Sequence, residues 1–170
     1  GDQHNTTLDE TAALRPRSYH GACKVAAEQF IGAWTRQYKR SATILRPSNI
    51  YGPGQPERAG FGIIPHAFGA IQRDATLTVW GDGSSARDYL YIDDLVTLTI
   101  AALQQPSPYK LRIFNAASGE TVSLNDLFEL IQIASGKPLL RQYEPGRVVD
   151  ADRIAVDAEK ARTLFGWQPS

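Results

Sequence analysis

The sequence predicts an α/β fold, and three observations support that prediction. Segments whose apolar residues recur at three- and four-residue steps alternate with short runs rich in β-branched and aromatic residues. Clusters of glycine, proline and aspartate separate the two kinds of segment. The sequence shows no internal repeat and no low-complexity tract. Helical and strand patterns that alternate along a chain are typical of α/β proteins.

The first helix is expected after a polar, non-periodic stretch over residues 1–17 that contains Pro16. Ser18 is the candidate N-cap of this helix, which should run from Tyr19 to about Tyr38. Its apolar residues form one broad stripe at helical spacing, which we expect to be buried: Ala22, Val25, Ala26, Phe30, Ile31 and Trp34.

A short β-leaning run over 42–45 leads into a segment, 46–54, that contains two prolines and two glycines. Because these residues disfavour regular structure, we predict a strand followed by an irregular, functional loop. The next predicted elements are a helix over 63–72 that starts near Pro65, a strand over 77–80, a turn over 81–83 and a strand over 88–92.

Asp93 or Asp94 should cap a further helix that ends near Leu103, where a negative charge also suits the helix dipole. As paired carboxylates these two residues could also suggest a catalytic or metal site, but no other ligands accompany them. The last predicted elements are a strand over 110–114, a helix from the Ser123/Asp126 capping box to about Ala134, a strand over 139–143 and a helix from Asp157 that ends before Gly166.

Composition and charge exclude several classes of function. The 18 basic and 18 acidic side chains cancel, which argues against a nucleic acid or an anionic membrane held by bulk charge. A hydrophobic share of 42% with a charged share of 21% is that of a globular protein, and no apolar run is long enough to span a bilayer. The polar opening residues do not resemble a signal peptide, so we expect a cytoplasmic protein.

Neither a metal site nor a nucleotide phosphate loop is evident. Cys23 is the single cysteine, and His4, His20 and His66 are scattered, so no zinc-ligand spacing occurs. The sequence also has no Gly-x-Gly-x-x-Gly segment between a strand and a helix, and no Walker-type loop. We therefore expect no metal, and no pyrophosphate cradle of the usual dinucleotide-binding kind.

Six segments in order along the chain carry a resemblance to one family. They are Gly1-Asp2 with Glu10 and Pro16, 18–24 (SYHGACK), 45–55 (LRPSNIYGPGQ), 81–83 (GDG) with 87–94 (RDYLYIDD), 115–119 (NAASG) and 164–169 (LFGWQP). Together these segments resemble the NAD-dependent nucleotide-sugar epimerases and dehydratases of the extended short-chain dehydrogenase/reductase family, the group that includes UDP-galactose 4-epimerase.

The resemblance implies a particular part of a known fold. The chain is similar to the C-terminal part of a Rossmann-like extended fold with its small substrate-binding α/β subdomain, and the NAD-binding N-terminal half would be absent. Residues 1–56 would be the remnant of the Rossmann-like domain, and residues 57–170 the nucleotide-sugar-binding subdomain. NAD belongs to the complete family, and we do not expect this chain alone to bind it.

The family's catalytic Tyr-x-x-x-Lys pair is altered here. Lys24 matches the lysine, which in the family holds the nicotinamide ribose and activates the tyrosine, but His20 stands in the tyrosine position. Tyr19 lies about 100° away around the helix, so it cannot replace the missing phenol. His20 could be a substitute general base, or the position could be degenerate, with Lys24 a solvated or helix-pairing residue. The resemblance also assigns Pro47 to the cofactor site.

Substrate contacts carry over to five positions. By resemblance, Asn49, Arg87 and Arg147 bind the diphosphate of a UDP- or dTDP-sugar, and Val79 and Trp80 line its base. Two guanidinium groups that converge on a diphosphate can make charge-assisted, often bidentate bonds. The alternatives are a turn role for Asn49, surface ion pairs for the arginines and core packing for Val79 and Trp80.

Two functions follow from these assignments. The chain could be the substrate-binding C-terminal part of an epimerase or dehydratase, inactive alone, or a non-catalytic sugar-nucleotide-binding or structural remnant. Removing half of a parallel sheet would leave apolar surface uncovered, so we expect association. The family's dimers pack the helix of the Tyr-x-x-x-Lys pair, which predicts a homo-oligomer through residues 20–38 or a complex with the missing half.

Overall fold

The computed structural model describes residues 7–58, 60–105, 111–146 and 153–170. Within these ranges the chain forms five α-helices and nine strands. The helices are α1 (Tyr19–Tyr38), α2 (Ile63–Gln72), α3 (Ile92–Gln104), α4 (Leu124–Ser135) and α5 (Glu159–Phe165). The strands are β1 (Ala42–Pro47), β2 (Asn49–Tyr51), β3 (Leu77–Trp80), β4 (Ala86–Arg87), β5 (Tyr89–Tyr91), β6 (Leu111–Ala116), β7 (Val122–Ser123), β8 (Arg141–Glu144) and β9 (Arg153–Ile154).

Most strand pairs are parallel. Strand β1 pairs with β6, β2 with β5 and β3 with β8, all in parallel, while β4 lies between an antiparallel β7 and a parallel β9. Parallel pairs need crossover connections, and helices supply them here. The predicted α/β class is therefore confirmed.

The chain changes partner strand between β1 and β2. The Ser48 amide donates to the Ala116 carbonyl at 2.9 Å, next to β6, whereas the Asn49 amide donates to the Asp88 carbonyl at 3.1 Å, next to β5. Ligands of parallel α/β sheets bind beyond the carboxyl ends of strands, where neighbouring connections diverge. The carboxyl end of β1 is such a place.

The segment after β1 is more regular than its composition predicts. We expected an irregular loop over 46–54, but β1 continues to Pro47 and β2 covers Asn49–Tyr51. Proline is tolerated at the end of a strand because only its own N–H is missing from the ladder. The irregular segment thus begins only at Gly52.

Two hydrophobic cores lie under these elements. The first joins α2, β3 and α4, and its buried residues are Ala67, Ala70, Ile71, Val79, Leu127, Phe128, Ile131 and Leu139. The second joins α3, β5, β6 and α5, and its buried residues are Leu90, Leu98, Phe114, Ala116, Ala117, Ala158, Ala161 and Trp167. The functional site described below borders the first core.

Helix α1 is as long as predicted, but the expected buried stripe is wrong. Phe30 is 80% exposed and Trp34 46% exposed, and of the six predicted stripe residues only Val25 is half-buried. The helix instead turns a face of small and polar residues towards β1 and β6. A Cβ on Gly32 would lie 3.4 Å from Leu111 Cδ2, and Glu28 pairs with Arg46 through two bonds of 2.6 and 2.8 Å.

The predicted helix caps are confirmed at two positions. Ser18 Oγ accepts from the Gly21 amide at 3.1 Å, and Ser123 Oγ accepts from the Asp126 amide at 3.1 Å. Both bonds satisfy an amide that lacks a partner inside its helix. The predicted helix over 63–72 and the strand over 77–80 are also confirmed, with the same bounds.

The predicted cap at Asp93 or Asp94 is wrong. Helix α3 begins at Ile92, and both aspartates lie in its first turn, where their charge still suits the dipole. Asp94 is buried, and its carboxylate accepts from the amide and hydroxyl of Ser170 at 3.2 and 2.9 Å. Its carbonyl also accepts from Trp167 Nε1 at 2.9 Å. Asp94 therefore holds residues 167–170 against α3.

Other element boundaries differ by one to three residues. The last helix begins at Glu159 rather than Asp157, whose carboxylate accepts from the Glu159 amide at 2.7 Å. Strand β8 begins at Arg141, because Leu139 packs in the first core and its amide donates to the Gln132 side chain. Strands β4, β7 and β9 were not predicted, since two residues carry no readable alternation.

The described part of the chain has neither a membrane-spanning helix nor a cluster of metal ligands. None of its helices is long and apolar enough to cross a membrane. None of its His, Cys, Asp and Glu side chains gather in a group of three that could hold a metal ion.

Candidate functional site

A cavity of about 310 Å³ lies between β2, β3, β4 and the start of α2. Four of the predicted substrate residues line it together: Asn49, Val79, Trp80 and Arg87. Tyr51, Gln55 and Tyr89 also line it and were not singled out from the sequence. A concave, mostly apolar site with a few convergent polar groups is typical of small-molecule binding. We call it the nucleotide cavity, after the ligand proposed below.

Asn49 is held firmly at the edge of this cavity. Its backbone amide and its side-chain Nδ2 both donate to the Asp88 carbonyl, at 3.1 and 2.8 Å. Because Asn49 belongs to strand β2, the alternative of a turn role is wrong. An asparagine amide carries a second N–H and a carbonyl oxygen, so this fixed side chain can still bond a ligand oxygen or hydroxyl.

Arg87 supplies the positive charge of the cavity. It is half-buried in β4, and its NH1 donates to the neighbouring Ala86 carbonyl at 2.9 Å. No carboxylate of the described residues pairs with it, so the surface ion-pair alternative is not supported there. Burial raises the pKa of the adjacent Tyr89 hydroxyl, and the positive charge of Arg87 partly offsets that rise.

Strand β3 divides the roles of Val79 and Trp80. Val79 is 2% exposed and packs in the first core, while Trp80 is 43% exposed, as the alternation of a strand requires. Both still border the cavity. Core packing therefore accounts for Val79, which also forms the apolar floor of the cavity, and Trp80 offers an aromatic surface at its rim.

The predicted catalytic residues lie elsewhere. His20 and Lys24 are exposed on α1, one turn apart on the same face, and neither lines the nucleotide cavity. A second cavity of about 270 Å³ contains Pro47 together with Gly21 and Val25 of α1, but again neither His20 nor Lys24. The structure thus groups four of the predicted substrate residues and leaves the predicted catalytic pair apart from them.

Only one of the two residues assigned to NAD lines the second cavity. Pro47 lines the second cavity, whereas the Lys24 ammonium group stands exposed outside it. No glycine-rich phosphate turn accompanies them in the sequence. The assignment of Lys24 and Pro47 to the NAD site stays a prediction, and no chemical step through NAD follows from this chain alone.

Asp88 is the most important residue that sequence reasoning missed. It is 1% exposed, and its carboxylate accepts from Ser48 Oγ at 2.6 Å, from the Ser118 amide and hydroxyl at 3.0 Å, and from the Gly119 amide at 2.8 Å. Its carbonyl holds Asn49. An aspartate between two strand residues was the available signal, because a buried carboxylate must find donors.

Glu57 forms a second polar cluster beside the cavity. The pKa of Glu57 is lowered to about 2, mainly by the hydrogen bonds from Arg73 and, to a smaller extent, by the bond from His66, against the opposing effect of burial. Any stability that this shift contributes is fully present at a pH above the ordinary pKa of 4.5. It is lost as the pH falls towards the lowered pKa. Glu57 is therefore ionised throughout the neutral range.

One predicted site residue, Arg147, lies outside the described residues. Arg147 falls in residues 147–152, of which the structure describes nothing. The preceding Gly146 lies beside the Gly81 turn, because a Cβ on Gly146 would be 3.5 Å from Gly81 Cα. The assignment of Arg147 to the diphosphate stays a prediction.

Parallel strand pairs joined by helices, with a cavity of about 310 Å³ beyond the end of β1, define an α/β protein with a candidate small-molecule site. The family description "NAD dependent epimerase/dehydratase family" matches residues 1–117. The chain is 32% identical to the UDP-glucose 4-epimerase of Mycolicibacterium smegmatis, over 94% of this chain and 50% of that protein. It is 31% identical to the dTDP-4-dehydro-6-deoxyglucose reductase of Escherichia coli, over 98% of this chain and 52% of that protein.

A solved structure is similar along the whole length of this chain. The UDP-glucose 4-epimerase of Thermotoga maritima, crystallised with UDP-glucose, has a TM-score of 0.91 and 28% identity over 100% of this chain and 54% of its own. The chain belongs to the NAD-dependent epimerase/dehydratase family. It spans about half the length of the curated relatives it matches. The expected likeness to part of an extended Rossmann-like fold is thus confirmed.

Proposed function

We propose that this chain is the nucleotide-sugar-binding, C-terminal part of an epimerase or dehydratase that acts on a UDP- or dTDP-sugar. One observation carries the proposal: Asn49 and Arg87 share a cavity with the apolar wall of β3. The names of the relatives include both UDP- and dTDP-linked substrates. In this proposal, residues 57–170 are the substrate subdomain and 1–56 belong with the Rossmann-like domain. The cytoplasmic location expected from the sequence stays a prediction.

Binding would follow from the chemistry of the cavity. Arg87 would pair with the diphosphate through charge-assisted bonds, and the fixed amide of Asn49 would bond a phosphate oxygen without adding charge. Val79 and Trp80 would contact the base, and Arg147 would supply a second guanidinium. In a half-buried site these groups act in a lower dielectric than water, which strengthens their attraction for an anion.

Turnover by the isolated chain is not expected. Lys24 would hold the nicotinamide ribose only with the phosphate cradle of another segment, and NAD would supply hydride transfer in that complete site. His20 is exposed and apart from the nucleotide cavity, which supports the degenerate interpretation over that of a substitute base. We therefore propose that this chain alone neither retains NAD nor catalyses the reaction.

A second function is favoured by His20 itself. A chain with an imidazole in place of the family's phenol could be a non-catalytic sugar-nucleotide-binding protein, or a structural remnant. A non-catalytic binding protein would use the same cavity, so ligand binding distinguishes it from a structural remnant but not from an enzyme. Restoration of the phenol at position 20 distinguishes the binding protein from the enzyme.

The first test is thermal unfolding with and without UDP, dTDP and GDP. A ligand at about a hundred times its Kd should stabilise the chain by roughly 2.7 kcal/mol. We expect UDP or dTDP to raise the melting temperature, and Arg87→Ala to abolish the rise. Arg36→Ala, in the exposed last turn of α1, is the matched control and should keep it. If no nucleotide raises the melting temperature, the structural-remnant alternative is favoured. If the rise persists in Arg87→Ala, Arg87 is not part of the binding site.

A further inference from the structure

The segment between β2 and α2 borders the nucleotide cavity. Two of its residues, Gln55 and Gly62, line the cavity directly. Gly62 has φ +72°, and a Cβ there would approach Gln55 Nε2 to 2.9 Å, so the glycine leaves room for the glutamine side chain. The placement of this segment therefore sets one wall of the cavity.

Glu57, two residues after Gln55, ties the segment to α2. Arg73 NH1 donates to Glu57 Oε2 at 2.6 Å, and Arg73 NH2 donates to Oε1 at 2.8 Å. His66 Nδ1 lies 3.0 Å from the same Oε1. Bidentate guanidinium–carboxylate pairs fix orientation as well as distance. His66 is a third donor to the same carboxylate, so three hydrogen bonds hold Glu57 rather than one surface ion pair.

Helix α2 has a notch where this carboxylate sits. Gly69 is buried in the helix, and the three atoms nearest to a Cβ built there all belong to the Glu57 carboxylate, too close for that Cβ to fit. A glycine in a helix interior makes the helix less stable than an alanine would. Room for the Glu57 carboxylate is a physical reason for glycine at this position. We call Glu57, His66, Gly69 and Arg73 the Glu57 clasp.

We propose that the Glu57 clasp positions the Gln55 wall of the nucleotide cavity, so that Glu57 is a positioning residue for ligand binding. The inference rests on the proposed binding of a nucleotide in that cavity. Its physical basis is the short connection: one residue separates Gln55 from Glu57, so a shift of the clasped carboxylate moves the backbone beside the cavity wall. Without the clasp the segment has more conformations to lose when ligand binds, which weakens binding.

The test compares two variants that break the clasp in different ways. Glu57→Gln removes the charge, whereas Gly69→Ala keeps every charge and fills the notch. Arg58, the exposed neighbour of Glu57, provides a readout that needs no ligand, because trypsin cleaves after it. We expect both variants to speed cleavage after Arg58, followed by mass spectrometry, and to weaken UDP binding by about threefold in calorimetry.

Glu129→Gln is the matched control. It breaks another exposed glutamate–arginine pair, the 3.0 Å bond to Arg141 on α4 and β8, away from the cavity. This control should change neither readout. Gly69→Ala also separates positioning from general destabilisation, since alanine favours the helix and the melting temperature should not fall.

The outcomes are distinguishable. UDP binding by the wild type that is unchanged in both variants would overturn the inference while leaving the proposed function intact. Unchanged cleavage after Arg58 in both variants would overturn it as well, because the segment would then be held without the clasp. Absence of both UDP and dTDP binding in the wild type would remove the proposed function, and the inference with it.

Discussion

Asp88 illustrates at the residue scale how a buried charge can organise a site that it does not line. Its carboxylate gathers donors from Ser48, at the change of partner strand, and from Ser118 and Gly119, in the turn after β6. Its carbonyl holds the Asn49 amide, and Arg87 precedes it. Asp88 thus fixes the Asn49 amide at the cavity and is the sequence neighbour of Arg87.

We predict that Asp88→Asn destabilises the chain by about 2–3 kcal/mol, because an amide cannot accept from all four donors and leaves buried N–H groups unpaired. Urea unfolding measures this loss, and UDP affinity should fall with it. Asp82→Asn, an exposed aspartate that accepts from Ser84, serves as the control and should cost little. An Asp88→Asn variant as stable as the control would contradict the role given to this carboxylate.

The residues that sequence reasoning found and missed differ in a physical way. Asn49 and Arg87 stand in two of the segments that resemble the family, Val79 and Trp80 were assigned by resemblance to the base, and the structure places all four on one cavity. Asp88 stands in the same segment as Arg87, yet its partners are 30 to 40 residues away in the chain. No local pattern reports donors that only the folded chain brings together.

At the scale of elements, helix α1 shows that periodicity identifies a helix without identifying its buried side. Its bounds and its cap follow from local chemistry, and both are confirmed. The bulky stripe is exposed because α1 packs against β1 and β6 with the face that carries Glu28 and Gly32. A helix that presents aromatic residues to solvent has surface that another element can cover.

We predict that this surface mediates self-association, as the family resemblance implied. The wild-type chain should sediment as an oligomer, and Phe30→Glu should shift it towards monomer because a charge would be buried in an apolar contact. Ile133→Glu is the matched control on α4, since Ile133 is 79% exposed and Phe30 is 80% exposed. A wild-type monomer at high concentration would contradict the prediction.

At the scale of the whole molecule, the chain resembles its relatives throughout but spans about half of their length. Four of the five residues assigned to the substrate line one cavity, whereas of the two residues assigned to NAD only Pro47 lines the second cavity. This difference is consistent with a nucleotide-sugar-binding part that needs a further segment for catalysis. It also suits a chain that binds without reacting, so activity is the deciding measurement.

We predict that His20→Tyr restores epimerase or dehydratase activity when the N-terminal half of a relative is supplied. The phenol would again stand one helical turn from Lys24, where the family places its proton acceptor. Chromatography of UDP- and dTDP-sugars measures the conversion. His20→Tyr combined with Lys24→Ala is the control and should be inactive. No conversion by the reconstituted His20→Tyr enzyme would favour the non-catalytic alternative.

Local chemistry was sufficient for much of this protein. The α/β class, the two serine caps and the bounds of α2 and β3 follow from hydrophobic period and capping residues, because these act within a few positions of the chain. Four of the cavity residues followed from the family resemblance: Asn49, Val79, Trp80 and Arg87. Tertiary packing alone set the exposed face of α1, the separation of His20 and Lys24 from the cavity, and the partners of Asp88 and Glu57. Those features depend on contacts between distant segments, whose geometry no local pattern contains.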